Sequence, residues 1–537
     1  MRSLPIVPLL LVSLAPAQDC KTTLFSVDTG GGRLGWGASA GGNLSDDGRR
    51  IAFYNWETGL PGSPAHAYVR DNDTGITTPI PGAAYADDIS GDGRVVVCEG
   101  TGLTATDLQL GTTVQVDVDL AGQIGGGMWG RISADGRFVA FMCASSNLVP
   151  GDTNGVEDIF VRDLVAGTTE RVSVSSSGAE GDHASWLPPA ISADGRYVAF
   201  SSLATNFAPG DANAEWDIFV HDRTTGTTEL VSRALSGGTG NGISEAQSIS
   251  ADGRFVAFDS LATDLVSSDV NGDWDAFVRD TQLGTTRMID VNLGGGQPHA
   301  DSYSGPLSGD GRLCVFTSRS TRIVQGDSNR TFDVFVRDLV TGSVERVSLG
   351  SEGQESPSSS FAIDMTPDGR FVTFSSAALT PPGTTGGLYV RGCPQSVARY
   401  GQAKPNSAAC RPWISWTGAP SASAGSGFVL RAQNELNRHV GRLLYGLQAQ
   451  WYPKTIPYLV VAPPLRRLPL ARTGGSPTGT DCSGALELDF NAWIAQGSDP
   501  ALVPGTTVFG QFWASDGGFA PPDDYGLSDA IDFTIQP

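Results

Sequence analysis

An Asp-Gly-Arg triplet recurs seven times along this chain, and its spacing limits the possible folds more than any other feature. The Asp falls at Asp47, Asp92, Asp135, Asp194, Asp252, Asp310 and Asp368, giving intervals of 45, 43, 59, 58, 58 and 58 residues. A fixed period of this size belongs to a propeller, a solenoid or an array, and the content of one period decides among them. In residues 188–235, Ile191-Ser192 ends a first strand (A), and Ala193-Asp-Gly-Arg196 turns the chain, Asp-Gly being a strong tight-hairpin signal. Tyr197–Ser202 reads as strand B, a polar loop runs to Trp216, Asp217–Asp222 is strand C, and Thr227–Ser232 is strand D. Apolar residues hold both parities of strands B and C, as in strands covered on both faces. Four antiparallel strands per repeat, packed between like neighbours, make a propeller blade.

The repeat also carries a family resemblance. Ser133-Ala-Asp-Gly-Arg-Phe-Val-Ala-Phe141, then Asp158-Ile-Phe-Val-Arg-Asp163, then Gly167-Thr-Thr-Glu-Arg-Val-Ser173 resembles the WD40-like repeat, called PD40, of TolB-type bacterial propellers. The match runs over residues 20–392 and implies the fold, while saying little about activity. TolB itself has an α/β domain before its propeller; here only about 20 residues precede the first strands, so TolB's own role is not carried over.

Residues 1–17 read as a signal peptide: Arg2, an apolar run from Leu4 to Leu14, and Ala15-Pro-Ala17 as a small-residue cleavage site. The alternative is a buried first strand. With no other segment long and apolar enough to span a membrane, the expected location is secreted, periplasmic or cell-surface, as a monomer. A formal charge of −22 argues against a nucleic-acid backbone as partner and permits cations.

Six repeats have an Asp-x-x-x-Gly turn between strands C and D, from Asp71–Gly75 to Asp338–Gly342, but the seventh ends at Gly387–Cys393 without a strand D. Lys21–Val27 matches an ordinary strand D, so the seventh blade is expected to be composite and the ring closed by the N-terminal strand. Aligned on the complete repeats, Cys20 and Cys393 fall at two neighbouring turn positions, which predicts a Cys20–Cys393 disulfide; the alternative is two unpaired thiols. Cys98, Cys143 and Cys314 lie in B strands at equal parity and are expected to be buried and inert.

The chain thus divides into a signal peptide (1–17), a seven-bladed propeller (18–393), a linker or irregular first strand (394–408) and a smaller domain (409–537). Short candidate strands between Gly/Pro/Ser-rich loops suggest a β-sandwich for the last, with Cys410 and Cys482 as its expected disulfide. The fold class is all-β.

In such a ring the A–B and C–D turns share one face, and the long B–C and D–A loops the other, which is where a ligand is to be sought. Four B–C loops carry Asp-x-Asn with an Asp opening strand C: Asp152/Asn154/Asp158, Asp211/Asn213/Asp217, Asp269/Asn271/Asp275 and Asp327/Asn329/Asp333. Alternating oxygen ligands suit Ca²⁺, while the same residues build Asx-turns unaided. His183, Asn241 and His299 each precede their repeat's Asp by 11 residues, which predicts equivalent ligand-contacting positions on three blades, or strand caps.

Gly37-Ala-Ser-Ala-Gly41 matches a nucleophile-elbow string but sits in a D–A loop. The five histidines show no metal-ligand spacing, and no cofactor other than calcium is implied. Two functional classes follow. The leading expectation is a non-enzymatic binding or scaffold propeller presenting its loop face to a protein or glycan. The alternative is an extracellular hydrolase or lyase with its site at the channel mouth.

Overall fold

The computed structural model describes residues 21–27, 39–55 and 67–392, apart from 210, 212, 299, 341, 351, 352, 378 and 380–385, together with separate strands and segments between 397 and 535. The chain divides into two compact units, 1–393 and 394–537. The expected signal peptide (1–17), Cys20, His299, Cys393, Cys410 and Cys482 lie outside the described residues.

The first unit is a seven-bladed propeller. Blades 1–6 are each a four-stranded antiparallel sheet in sequence order, from Ser39–Pro79 in blade 1 to Ser302–Arg346 in blade 6. Blade 7 takes strands A–C from Ser360–Met365, Phe371–Ser376 and Gly387–Gly392, and its strand D is Lys21–Leu24 from the chain start. The closing register is Lys21↔Gly392 through Leu24↔Tyr389. The A strands of adjacent blades touch one another all the way round, so they line the axis.

The Asp-Gly-Arg triplet builds the turn face. In blade 4, Asp194 Oδ1 accepts from Ser192 Oγ at 2.7 Å and from Arg196 N at 3.0 Å, while Ser192 Oγ accepts from Tyr197 N at 2.9 Å. Arg196 then reaches the Asp that caps the C–D turn, Asp222, at 2.6 Å. The same bridge recurs as Arg137–Asp163, Arg254–Asp280 and Arg312–Asp338. In blade 7, Gly392 stands where that Asp would be, and Arg370 folds back onto Asp368 at 2.6 Å. The turn glycine is needed twice over at Gly253: its φ is +75°, and a Cβ there would lie 2.1 Å from Tyr197 Cδ2 in the preceding blade.

One residue before each triplet Asp, the turns are bonded to one another in a belt. Asp46 N donates to Gly91 O (2.8 Å), Gly91 N to Ala134 O (2.9 Å), and so on through Ala193, Ala251 and Gly309 to Pro367 O. The belt stops at Pro367 because proline has no N–H to pass on. Five of its seven members are Gly or Ala, small enough for the turns to approach one another around the turn-face end of the axis.

Blades 3–6 bury a pair of phenylalanines across strands B and C, as in Phe258–Phe277 and Phe316–Phe335, with ring centroids 5.5 and 5.3 Å apart, and blades 1 and 7 pair Phe with Tyr in the same place. Cys98, Cys143 and Cys314 are free and buried, and burial pushes the thiols of Cys98 and Cys314 far up.

The second unit contains two antiparallel sheets. One includes Val440–Gly446, Thr507–Ser515 and Tyr525–Thr534; the other is Trp413–Thr417, Val429–Glu435 and Gly484–Asp489. Leu430, Leu486, Tyr445 and Phe512, drawn from both, share one core. Val397–Tyr400, inside the expected linker, pairs with the last strand. A short helix, Phe490–Ala495, follows directly on a strand, with Asp489 capping Ala492 N at 3.0 Å. Among the described residues no helix is long and apolar enough to cross a membrane.

Candidate functional site at the channel mouth

Every A strand carries a register break near its loop-face half. Such a bulge re-aims side chains and leaves backbone N–H groups without ladder partners. The preceding blade supplies them, from the fifth position of its strand B. Ser201 Oγ accepts from Ala246 N at 2.9 Å, Thr317 Oγ1 from Ala362 N at 3.1 Å, and Asp259 Oδ1 from Ser304 N.

Between blades 2 and 3 the same position holds Glu99, and the chemistry changes. Glu99 Oε1 accepts from Trp129 N at 2.6 Å, and Asp87 Oδ2 accepts from the next amide, Gly130 N, at 3.1 Å. Two carboxyls are therefore pinned on consecutive N–H groups, which Trp129 turns into position through a left-handed φ of +58°. A bulky residue in that region is held there by its surroundings, and such conformations gather at functional sites. Burial, and secondly the charge of Glu99, raise the Asp87 carboxyl well above the ordinary range, with Arg131 opposing. Arg131 Nη1 donates to Asp87 O at 2.7 Å, and Asn43 Nδ2 donates to the same carbonyl.

Deeper in the channel, burial also raises the carboxyls of Asp88 and Asp364, the latter to about 7, while Leu44 N donates to Asp364 Oδ2 at 2.7 Å. Tyr54 and Tyr85 meet edge-to-face beside Asp87 at 5.0 Å, and the Tyr54 hydroxyl is raised first by burial and then by the Asp87 charge. A pair of carboxyls in which one member's hold on its proton is strengthened, next to a guanidinium, can exchange protons with a bound molecule in both directions.

The residues expected from sequence do other things. His183 lies 3.3 Å from Asp182 and is largely exposed. Asn241 bonds Thr263 through both its amide groups, at 3.0 and 2.8 Å. The residue of blade 4 equivalent to Asn241 is Asp182, not His183, because Asp182 Oδ1 accepts from Thr205 N at 2.8 Å as Asn241 Oδ1 does from Thr263 N. Strand A of blade 4 contains one extra residue, Ser185–Ile191 against Ser244–Ile249, so counting back from the Asp misaligns the two loops by one. The shared register expected for these residues is corrected accordingly, and the structure does not bring His183 and Asn241 together.

The four Asp-x-Asn loops form turns whose Asn fastens the opening of strand C. Asn154, Asn213 and Asn329 donate to Asp158, Asp217 and Asp333 at 3.0, 2.8 and 2.7 Å; Asn271 donates to Pro298 O at 2.9 Å. Their centres differ from blade to blade. In blade 3, Arg171 Nη1 lies 3.0 Å from Asp152, 3.2 Å from Asp158 and 3.1 Å from Glu180. In blade 6, Arg346 takes that place among Asp327, Asp333 and Glu355. In blade 5, Gln297 Nε2 donates to Asp269 at 2.7 Å and to Asp275 at 2.9 Å. Blade 4 has Leu230 instead, and burial pushes Asp217 up to about 7. A guanidinium lies among the carboxylates in blades 3 and 6 and an amide nitrogen in blade 5, so the centres of the four loops differ, while the oxygens of Asp327, Asp333 and Glu355 lie close enough together to hold a cation.

The sequence signal for Glu99 was present in the repeat register. The fifth position of strand B is Tyr54, Met142, Ser201, Thr317 and Ser375 elsewhere, acidic only at Glu99 and Asp259.

No family model and no curated protein matches the chain. Solved structures similar in fold include an oligogalacturonate lyase from Vibrio parahaemolyticus, at 12% identity and TM-score 0.42, covering 70% of this chain and 91% of that one. A TolB protein from Agrobacterium tumefaciens is 19% identical at TM-score 0.32, covering 57% and 89%. An acylaminoacyl peptidase from Pyrococcus horikoshii is 10% identical at TM-score 0.39, covering 72% and 56%. The propeller is TolB-like in fold. The expectation of a non-enzymatic binding or scaffold protein is corrected on the site's own geometry: the channel mouth seats the Glu99 and Asp87 carboxyls on consecutive amides, an arrangement suited to acid–base chemistry.

Proposed function

We propose that this chain is an extracellular hydrolase or lyase acting at the loop-face mouth of its propeller, with Asp87 as general acid and Glu99 as general base. The observation that carries the reading is the seating of both carboxyls on the consecutive amides of Trp129 and Gly130. Acid–base catalysis needs one protonated and one ionised group held toward the same bond, and unequal surroundings keep two carboxyls in those states. Burial beside Glu99 favours the proton on Asp87. Arg131 faces the same space and is suited to hold negative charge that develops on a leaving or attacking atom. The charged, apolar and small-residue order of residues 1–17 supports export.

The reading is tested by incubating the full chain with panels of oligosaccharides and peptides and following products by mass spectrometry. Asp87→Asn and Glu99→Gln both keep the acceptor oxygen that holds the bulge. Each is expected to lower turnover about 10²–10⁴-fold without changing the melting temperature. Wild-type turnover in either variant refutes the assignment.

A further inference from the structure

We infer that the substrate of this site is an uncharged or amino-substituted oligosaccharide, seated on a collar of aromatic rings around the channel mouth; the inference rests on the acid–base reading of Asp87 and Glu99. The collar follows from the repeat. In blades 2–7 the strand-A residue paired with the fifth residue of strand B stands toward the loop face, and it is Tyr85, Met128, Trp186, Glu245, Tyr303 and Phe361 in turn. Soluble proteins cover large aromatic side chains, yet Tyr85 and Trp186 are each 37% exposed and Phe361 is 41% exposed.

The rings form two arcs. Over blades 3 and 4, Trp129 and Trp186 meet edge-to-face at 5.8 Å. Over blades 5–7, Trp274, Tyr303, Phe332 and Phe361 follow one another at 6.3, 5.8 and 5.3 Å. Trp274 and Phe332 belong to this arc because their carbonyls accept the first N–H of the next blade's A strand, from Ser302 and Ser360, both at 2.7 Å.

Charge narrows the ligand. Between the arcs blade 5 presents Glu245, with Asp259 behind it accepting from Gln247 Nε2 at 3.1 Å. Across the channel lie Asp87 and Glu99, with Asp88 and Asp364 below. Against these stands Arg131; Arg319, at the rim over Phe332, is already held by Asp301 at 2.7 Å. A polyanionic chain would meet repulsion from whichever of these carboxyls are ionised, and it would raise further the cost of ionising the buried ones, which opposes its binding. A purely apolar ligand would leave the carboxyls desolvated and unpaired. A saccharide suits both surfaces: its C–H faces lie on flat rings, and its hydroxyl or amino groups donate to carboxylates.

A saccharide without a carboxylate lacks the acidified C–H that β-elimination needs, so the reaction at this site is hydrolysis. Water gives a proton to the Glu99 carboxylate as its oxygen bonds to the anomeric carbon. The anomeric C–O bond breaks, and the leaving oxygen takes the proton of the Asp87 carboxyl, leaving one proton to pass back from Glu99 to Asp87.

The full-length Asp87→Asn variant, with the collar intact, is titrated calorimetrically with cellohexaose, N-acetylchitohexaose, a chitosan hexamer, hexagalacturonate and a lysine-rich hexapeptide. At least one of the first three is expected to bind, with affinity falling about five- to tenfold on adding Trp186→Ala or Phe361→Ala. Binding of none of the three overturns the inference, as does preferred binding of hexagalacturonate or the peptide, or affinity indifferent to both aromatic changes. Failure of the acid–base reading registers separately, as turnover that persists in Asp87→Asn.

Discussion

Replacing Arg346 with leucine removes the guanidinium around which Asp327, Asp333 and Glu355 are gathered. The side chains of Asp327 and Asp333 are 2% and 0% exposed, so water cannot take over their charges. Taking away one partner of a buried ion pair costs about 3–5 kcal/mol. At roughly 2 cal/mol/K per residue, a unit of this size has an unfolding entropy of about 0.8 kcal/mol/K, so the melting temperature should fall by about 4–6 °C at pH 7.5. The fold contains its own precedent, since blade 4 has Leu230 at that place and holds the Asp217 carboxyl up at about 7. A carboxyl raised in the folded state destabilises the fold above its unfolded value, and that loss disappears as the pH falls through the folded value. Asp327, already pushed up to about 6 mainly by burial, marks the window. Scanning calorimetry of wild type and Arg346→Leu should therefore give a difference that shrinks below about 2 °C by pH 4.5–5. Glu355 is the opposing group: held down to about 2 by Ser328 and Arg346, it stabilises the wild type above its unfolded value and ceases to do so only in strong acid. An equal drop at pH 7.5 and pH 5, or a drop under 1 °C at pH 7.5, refutes the reasoning.

Three further outcomes are expected. In blade 5, Asp290 replaces the serine that bonds the opening Asp of strand C in blades 3, 4 and 6; burial, and then the charge of Asp290, raise Asp275 to about 9, and burial raises Asp290 to about 6. Asp290→Ser should raise stability by about 1–3 kcal/mol at pH 8, and by little at pH 4, in denaturant titrations. Cys20 and Cys393 each adjoin the last described pair of the closing strand, Lys21↔Gly392. Non-reducing peptide mapping should recover them as one cross-linked peptide, and Cys20→Ser should cost up to about 5 kcal/mol, the chain-entropy value for so long a loop. Gly253→Ala, strained in φ and pressed on Tyr197, should destabilise by at least about 2 kcal/mol in the same titrations, whereas an alanine at Gly238, where a Cβ meets nothing within 4 Å, should not.

The blade count, the composite seventh blade and the division of faces were legible because they rest on residues that repeat: the triplet Asp and Gly, the paired apolar strands, the missing strand D after Gly392. The second unit was less so, since Asp489 ends an alternating strand and caps a helix in one step, and alternation carries the strand reading into Phe490. The site was hidden for the opposite reason to the fold. Asp87, Glu99 and Trp129 depart from the repeat, and what joins them is a bulge whose offset varies from blade to blade. That variation also misaligned His183 with Asn241. The Asp-x-Asn loops read as alike because the residue that distinguishes them, Arg171, Leu230, Met288 or Arg346, lies on strand D, away from the motif.

The claim that matters most is that a protonated Asp87 works with Glu99 at the channel mouth, and the pH dependence of kcat/KM tests it most directly. On a substrate identified from the oligosaccharide panel, wild-type activity should fall as the pH rises through the elevated Asp87 value, since a general acid is lost on ionisation. Asp87→Asn should abolish that alkaline limb together with at least about 99% of the rate. An Asp87→Asn protein that keeps both the rate and the alkaline limb contradicts the account.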